Sequence, residues 1–136
     1  MHVELVSIER PLWSGEAKSV SARTTEGEIG VLPGHELMIA ALAPGWVVRI
    51  DRDGDSPLHV AVHGGFLSVR EQGVSVLAET AETAEEIDVE RARAALQRAE
   101  GELGASGSSG SEADQEAAAT ARDRALARLR ATDQAV

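Results

Sequence analysis

The residues that could support catalysis or hold a metal ion are few and widely spaced in this sequence. The chain has no cysteine, which excludes disulfides, thiolate nucleophiles and cysteine metal sites. His59 and His63 lie four residues apart on a predicted strand, so they share a face but are separated by about 13 Å at roughly 3.3 Å per residue. That separation is too large for one metal ion, and no third ligand accompanies the pair. No nucleophile elbow, phosphate loop or HExxH motif is present, so we predict no catalytic residue and no metal site.

Arginines near the C terminus form a basic cluster on an acidic protein. The formal net charge is -10, and only three residues are aromatic, which argues against a nucleic acid partner. Arg122, Arg124, Arg128 and Arg130 have only Asp123 as a near acidic neighbour. Cations that match the dipole at the end of a helix would explain the cluster. The alternative is a site for an anion or an acidic partner.

Glycines mark two further segments. Residues 27–35 contain Pro33 and Gly34, the pair typical of a type II turn, and predict an exposed elbow. The elbow is either a corner of a sandwich or a contact loop that presents Glu28 and His35. The Gly64-Gly65 pair has no helix after it to bind phosphate, so it predicts a bulge or a close approach of two strands.

The elements that must position these residues differ between the two halves of the chain. Residues 1–84 consist of short apolar segments separated by Gly, Pro and Asp turns, which is typical of a β-sandwich. Strands are predicted at 2–8, 19–24, 37–42, 47–51, 58–62, 66–70 and 74–78. An Asp-Gly pair at 53–54 supplies one hairpin turn.

Residues 85–136 are rich in Ala, Arg and Glu and contain no Pro, which predicts helices. One apolar stripe consists of Val89, Ala92, Leu96, Ala99 and Leu103; the other, on a helix over about 112–131, consists of Ala118, Ala121, Ala125 and Leu129. A flexible glycine-serine turn at 104–111 joins them. The predicted fold is therefore α+β and β-rich, with an N-terminal β-sandwich at 1–84 and a C-terminal antiparallel two-helix hairpin at 85–136. Because alanine buries little apolar area, we expect the hairpin to be weakly held and able to leave the sandwich.

Four segments in this order resemble the epsilon subunit of bacterial F-type ATP synthases. They are GEIGVLPGHELMIAALAPG at 27–45, HGGFLSV at 63–69, VSVLAETAE at 74–82 and EIDVERARAAL at 86–96. The resemblance implies a noncatalytic rotor subunit of the central stalk, which couples c-ring rotation to ATP synthesis and regulates or inhibits ATP hydrolysis through its hairpin. It also implies that the gamma subunit, the c-ring and the alpha and beta subunits are partners, at the cytoplasmic face of the bacterial cell membrane. The alternative is a free-standing, nucleotide-sensing binding module; an enzyme would need a catalytic set that the sequence lacks.

The same resemblance assigns candidate site residues. Glu28 and His35 match the loop that contacts the c-ring and gamma. An Ile/Leu-Asp-x-x-Arg-Ala motif at 87–92 implies ATP as a regulatory ligand, with no cofactor required. The candidate ATP-binding residues are Glu82, Asp88, Arg91, Ala92, Arg98, Arg124 and Arg128. The candidate inhibitory contacts are Arg122, Arg124 and Arg128. Asp88 is also a good helix cap, and capping alone would explain its presence. The turn at 104–111 is longer than the charged turn typical of the family.

Overall fold

Seven strands and two α-helices are formed by the residues that the computed structural model describes, 1–105 and 111–133. The elements are β1 (His2–Ser7), β2 (Pro11–Thr24), β3 (Gly27–Val31), β4 (Met38–Ala41), β5 (Trp46–Arg52), β6 (Leu58–Arg70), β7 (Gly73–Thr83), α1 (Val89–Ala105) and α2 (Glu112–Ala131). The predicted turn at 104–111 lies mostly outside the described residues. None of the described helices is long and apolar enough to cross a membrane.

The strands form a β-sandwich in which three long strands pass from one layer to the other. The sheet order is β1-β7-β6-β5-β2-β3, β4 pairs with β6, and β1 also pairs with β2. One layer contains β3, β5, the second halves of β2 and β7 and the first half of β6; we call it the helix-side layer. The other contains β1, β4, the first halves of β2 and β7 and the second half of β6; we call it the open layer. Valine, leucine and isoleucine side chains fill the space between the layers.

Strand β6 replaces two predicted strands, at 58–62 and 66–70. Gly64 and Gly65 continue the strand with φ angles of +72° and +114°, values that favour glycine. A Cβ at Gly65 would collide with the carbonyl oxygen of Leu77 on β7. The register with β7 is the same on both sides of the pair, so the glycines allow a close approach of two strands and form no bulge.

The sequence analysis missed β3 and the first part of β2. The elbow predicted at 27–35 begins as a strand, because Gly27–Val31 pairs with the end of β2. Glycine weakens a strand signal, and residues 11–16 show little apolar alternation, so neither segment stood out. The second part of the elbow is confirmed: the His35 N–H donates to the Leu32 oxygen at 3.1 Å around Gly34, whose φ is +87°.

Helix α2 packs against α1 on one side and against the helix-side layer on the other. The predicted stripe of α1 is confirmed, since Ala92 and Ala99 are buried. The predicted stripe of α2 is wrong at Ala121, which is exposed. A second interface, in which Ala127 and Ala131 contact the sheet, sets the rotation of α2 about its axis. A single stripe chosen to face α1 does not account for this second interface.

Candidate functional site

A polar cleft of about 600 Å³ lies where the start of α1, the end of α2 and the end of β7 meet. We call it the hairpin cleft. Its lining residues are Glu82, Glu86, Asp88, Arg91, Ala92, Ala94, Ala95, Arg98 and Arg128. Guanidinium groups from both helices therefore face one space. Such an arrangement suits an anionic ligand, because arginine binds phosphate and carboxylate groups through paired hydrogen bonds.

The first turn of α1 is organised by Asp88. Its Oδ1 accepts a hydrogen bond of 3.1 Å from the Arg91 N–H, which is the contact of a helix N-cap. Arg91 and Arg98 lie two turns apart on the same face of α1, at the edge of the cleft. Within the described part of the chain, neither guanidinium makes a hydrogen bond or an ion pair with another residue. Two cationic groups of the cleft are therefore available to a ligand.

The floor and far wall of the cleft are held by ion pairs. Arg128 Nε donates to Glu82 Oε1 at 2.7 Å, which ties α2 to β7. Arg10 Nη2 donates to Glu86 Oε2 at 2.5 Å, and the Thr83 hydroxyl donates to Glu86 Oε1 at 3.0 Å. Burial would raise the pKa of Glu86, but the hydrogen bonds from Arg10 and Thr83 outweigh it and lower that pKa. Glu86 therefore stays ionised and anchors the segment between sandwich and hairpin.

Six of the seven sequence-predicted ATP-binding residues line the hairpin cleft, and Arg124 does not. Arg124 is exposed and acts electrostatically on His63 of β6 instead. Arg122, the remaining candidate inhibitory residue, pairs with Asp123 at 3.4 Å. The sequence analysis overlooked Glu86, although it lies immediately before the motif at 87–92. Its partner Arg10 is 76 positions away, so no local signal joined the two.

The predicted contact loop is divided between two elements. Glu28 lies on β3, and its side chain is 78% exposed and pairs with Arg23 of β2 at 3.4 Å. His35 follows the turn after β3, and its Nδ1 lies 2.9 Å from the Glu36 carbonyl oxygen. Placing Glu28 in a loop was therefore wrong, because residues 27–31 complete the edge of the helix-side layer.

The open layer carries an apolar outer surface that the sequence analysis did not identify. Phe66 of β6 lies opposite Leu77 of β7, and the two are 54% and 51% exposed. The same row continues to Val6 of β1. Ile39 of β4, which is 74% exposed, pairs with Ser68, two residues along β6 from Phe66. We call these residues the apolar face. Exposed apolar side chains grouped in this way are typical of a surface that contacts another protein.

Comparison with known proteins gives one consistent family. Residues 1–84 match the family model described as ATP synthase, Delta/Epsilon chain, beta-sandwich domain. Residues 85–133 match ATP synthase, Delta/Epsilon chain, long alpha-helix domain.

Curated relatives called ATP synthase epsilon chain are similar over most of the chain. That of Thermobifida fusca is 59% identical over 104 residues, which are 75% of this chain and 76% of that protein. That of Rhodococcus opacus is 57% identical over 96 residues, which are 71% of this chain and 79% of that protein.

Two solved structures have the same fold. A chain of the Euglena gracilis mitochondrial ATP synthase, solved as OSCP/F1/c-ring, has a TM-score of 0.78 and 29% identity, covering 95% of this chain and 78% of that chain. A chain of the Tetrahymena thermophila central stalk/c-ring structure has a TM-score of 0.59 and 15% identity, covering 97% and 96%, and shows the fold alone.

Proposed function

Because the chain belongs to the Delta/Epsilon chain family of ATP synthases, we propose that it is a noncatalytic rotor subunit of a proton-translocating F-type ATP synthase. It couples rotation of the c-ring to ATP synthesis in F1, as a peripheral component at the cytoplasmic face of the bacterial cell membrane. The relative with 29% identity comes from an F1/c-ring assembly, which supports this placement.

The observation that carries the proposal is the apolar face on the open layer. It lies on the layer that α2 does not cover, so the hairpin leaves it accessible. Exposed Phe66, Leu77 and Ile39 give a surface suited to a lasting protein contact, and we assign it to the gamma subunit. We assign the c-ring contact to Glu28, which lies on β3, and to His35, which follows the turn after β3.

Co-purification from membranes tests the rotor assignment. The tagged chain should recover alpha, beta, gamma and c subunits in stoichiometric amounts, and the double variant Phe66→Ser, Leu77→Ser should lose most of this recovery. Lys18→Ser, at an exposed position on β2, is the control and should keep it. If the wild-type chain is recovered without these subunits, a free-standing binding module becomes the better description of its function. If the double variant binds fully, the apolar face is not the gamma contact.

We further propose that the hairpin cleft binds ATP as a regulatory ligand. Arg91 and Arg98 supply guanidiniums without partners among the described residues, and Arg128 adds a third from α2. A triphosphate held between both helices would stabilise the docked hairpin, because a ligand that binds one conformation shifts the equilibrium towards it. Glu82 and Asp88 complete the polar lining, and Ala92 leaves space beside the helix.

Calorimetric titration of ATP into the isolated chain tests this ligand. Heat of binding should appear by millimolar ATP, and Arg91→Met or Arg98→Met should weaken the affinity about tenfold, the usual effect of losing a charge-assisted hydrogen bond. Arg93→Met is the matched control, because Arg93 pairs with Glu90 and does not line the cleft. The absence of heat at millimolar ATP in the wild-type chain would refute ATP binding.

When undocked, the hairpin would inhibit ATP hydrolysis through an acidic surface of the beta subunit. Arg122, Arg124 and Arg128 are the proposed contacts, and Arg128 must first leave Glu82. Removing residues 86–136 should then raise the ATPase activity of the assembled complex. Unchanged hydrolysis in a complex that still contains the shortened chain would refute inhibition and leave the rotor assignment intact.

A further inference from the structure

Trp46, the first residue of β5, contacts two arginines from different elements. Arg130 Cζ of α2 lies 3.8 Å from the centroid of the indole ring, and Arg23 Cζ of β2 lies 4.3 Å from it. Arg130 Nη1 also donates to the Gly45 carbonyl oxygen at 2.5 Å. Both distances to the ring are those of a cation–π contact. The last turn of α2 is thus joined to the sandwich by an aromatic and a hydrogen-bonded contact at the same corner.

The backbone at this corner is shaped to receive α2. Gly45 has a φ of +83°, and a Cβ there would lie 3.2 Å from the backbone oxygen of Asp123. Asp123 and Arg130 are seven residues apart, which brings both to one face of the helix about 10 Å from each other. The helix therefore contacts the Gly45-Trp46 corner at two points. We call Gly45 and Trp46 the docking corner.

The apolar contacts of α2 with the sheet are small. Ala127 and Ala131 meet Ala61 and the partly buried Val47, so little apolar area is covered. A cation–π pair with a charge-assisted hydrogen bond contributes more than two alanine methyl groups do. The docking corner and the Arg128–Glu82 ion pair are therefore the main determinants of whether α2 stays on the sandwich.

Arg23 connects this corner to the edge strand β3. Its Nη1 lies 3.4 Å from Glu28 Oε1 while its guanidinium lies over Trp46. Arg23 and Arg130 carry the same charge beside one ring, and Glu28 offsets part of their repulsion. A partner that bound Glu28 would compete with Arg23 for its carboxylate, and the repulsion between Arg23 and Arg130 would then increase.

We propose that Trp46 is a latch on which Arg130 holds the hairpin in its docked position, and that Glu28 sets the strength of the latch through Arg23. Contact of Glu28 with a basic loop of the rotor then loosens α2, so attachment and hairpin release are coupled through four side chains. The second part rests on the proposed function, since it assigns Glu28 to the c-ring. The latch itself is a property of the isolated chain.

Amide hydrogen exchange of α2 in the full chain tests the latch. Arg130→Met and Trp46→Leu should each raise exchange in Glu112–Ala131 about tenfold, with the sandwich strands unchanged. The double variant should exceed either single variant only slightly, because both variants remove the same Arg130–Trp46 contact. Glu116→Gln, at an exposed position on the same helix, is the control and should have no effect. Unchanged exchange in Arg130→Met, or additive effects in the double variant, would overturn the latch.

The same measurement separates the role of Glu28 from that of the latch. Glu28→Gln should raise exchange in α2 about threefold in the wild-type background and should have no effect when Arg130 is already Met. An equal increase in both backgrounds, or none in either, would overturn the coupling to Glu28. These outcomes do not depend on an assembled synthase, whereas the rotor assignment is tested only by co-purification, so the two can fail separately.

Discussion

At the scale of single residues, Gly65 shows how one backbone position constrains the sandwich. Its φ is +114°, and a Cβ would collide with the Leu77 carbonyl oxygen of the neighbouring strand. We predict that Gly65→Ala lowers the free energy of unfolding by about 3 kcal/mol or more, since the strand must shift as well as adopt a strained angle. Gly30→Ala is the matched control, because nothing lies within 4 Å of a Cβ there. Urea denaturation gives the free energy of unfolding of both variants. Equal losses would contradict the close approach of β6 and β7 at Gly65.

His63 gives a pH-dependent contribution to stability. Its Nδ1 is buried and has no hydrogen-bond partner among the described residues. Burial, and then the charge of Arg124, lower the pKa of His63, while Asp123 and Glu79 oppose them. An unfolded chain therefore binds the proton at higher pH than the folded chain, and stability conferred by neutral His63 is present above about pH 6.5 and lost as the pH falls through the folded pKa.

We predict that His63→Gln flattens the loss of stability between about pH 7.5 and pH 5. Urea midpoints measured across this range for both proteins give the comparison. An identical pH profile in the variant would mean that the imidazole is accessible to water in solution, and that its protonation does not disturb α2.

The residues that line the hairpin cleft were only partly predicted from the sequence. The resemblance to epsilon subunits, through the motif at 87–92 and the residues that align with it, indicated six of the residues that line the hairpin cleft. Glu86 and Trp46 were not identified, because Arg10 and Arg130 reach them only through the tertiary fold. Contacts between residues more than 70 positions apart have no local periodicity from which to predict them.

At the scale of elements, α2 is defined by two interfaces at once. Ala127 is 1% exposed and faces the sheet, whereas Ala121 faces solvent. We predict that Ala127→Leu undocks the hairpin, because three added carbon atoms have no space against Ala61, and overpacking costs about 1–3 kcal/mol. Ala121→Leu adds the same atoms at an exposed position and should leave α2 protected. Amide exchange in α2 compares the two variants. If α2 stays protected in Ala127→Leu, the close packing of Ala127 against Ala61 is contradicted.

The strand pattern also explains where prediction from sequence succeeded and failed. Strands in which buried and exposed residues alternate were predicted to within one or two residues. An example is β5, where Val48 and Ile50 are buried. Edge segments were missed, since β3 and the start of β2 bury few side chains and depend on pairing with a neighbour. Two strands were predicted in place of β6, because glycines usually interrupt a strand. The close approach of β7 explains why glycines lie within this strand.

At the scale of the whole molecule, the two layers of the sandwich separate two tasks. The open layer presents the apolar face, and the helix-side layer holds the hairpin with its cleft and latch. The main hydrophobic core is built from residues of the sandwich alone, and the small cluster under α2 is distinct from it. Movement of the hairpin can therefore leave the apolar face of the opposite layer unchanged.

This separation predicts that a chain ending at Glu86 remains folded. It retains every residue of the main core and the Arg10–Glu86 pair. It loses the contacts of α2 with Val47, Ala61, Glu82 and the docking corner, none of which belongs to that core. Its melting temperature should stay within about 5 °C of the sandwich in the full chain, the shift expected for about 1 kcal/mol in a domain of this size. Calorimetry measures that temperature. The shortened chain should also recover the gamma subunit from membranes while it no longer binds ATP. Loss of folding would instead mean that the hairpin is part of the stable unit, and a latch that releases it would then expose an unstable sandwich.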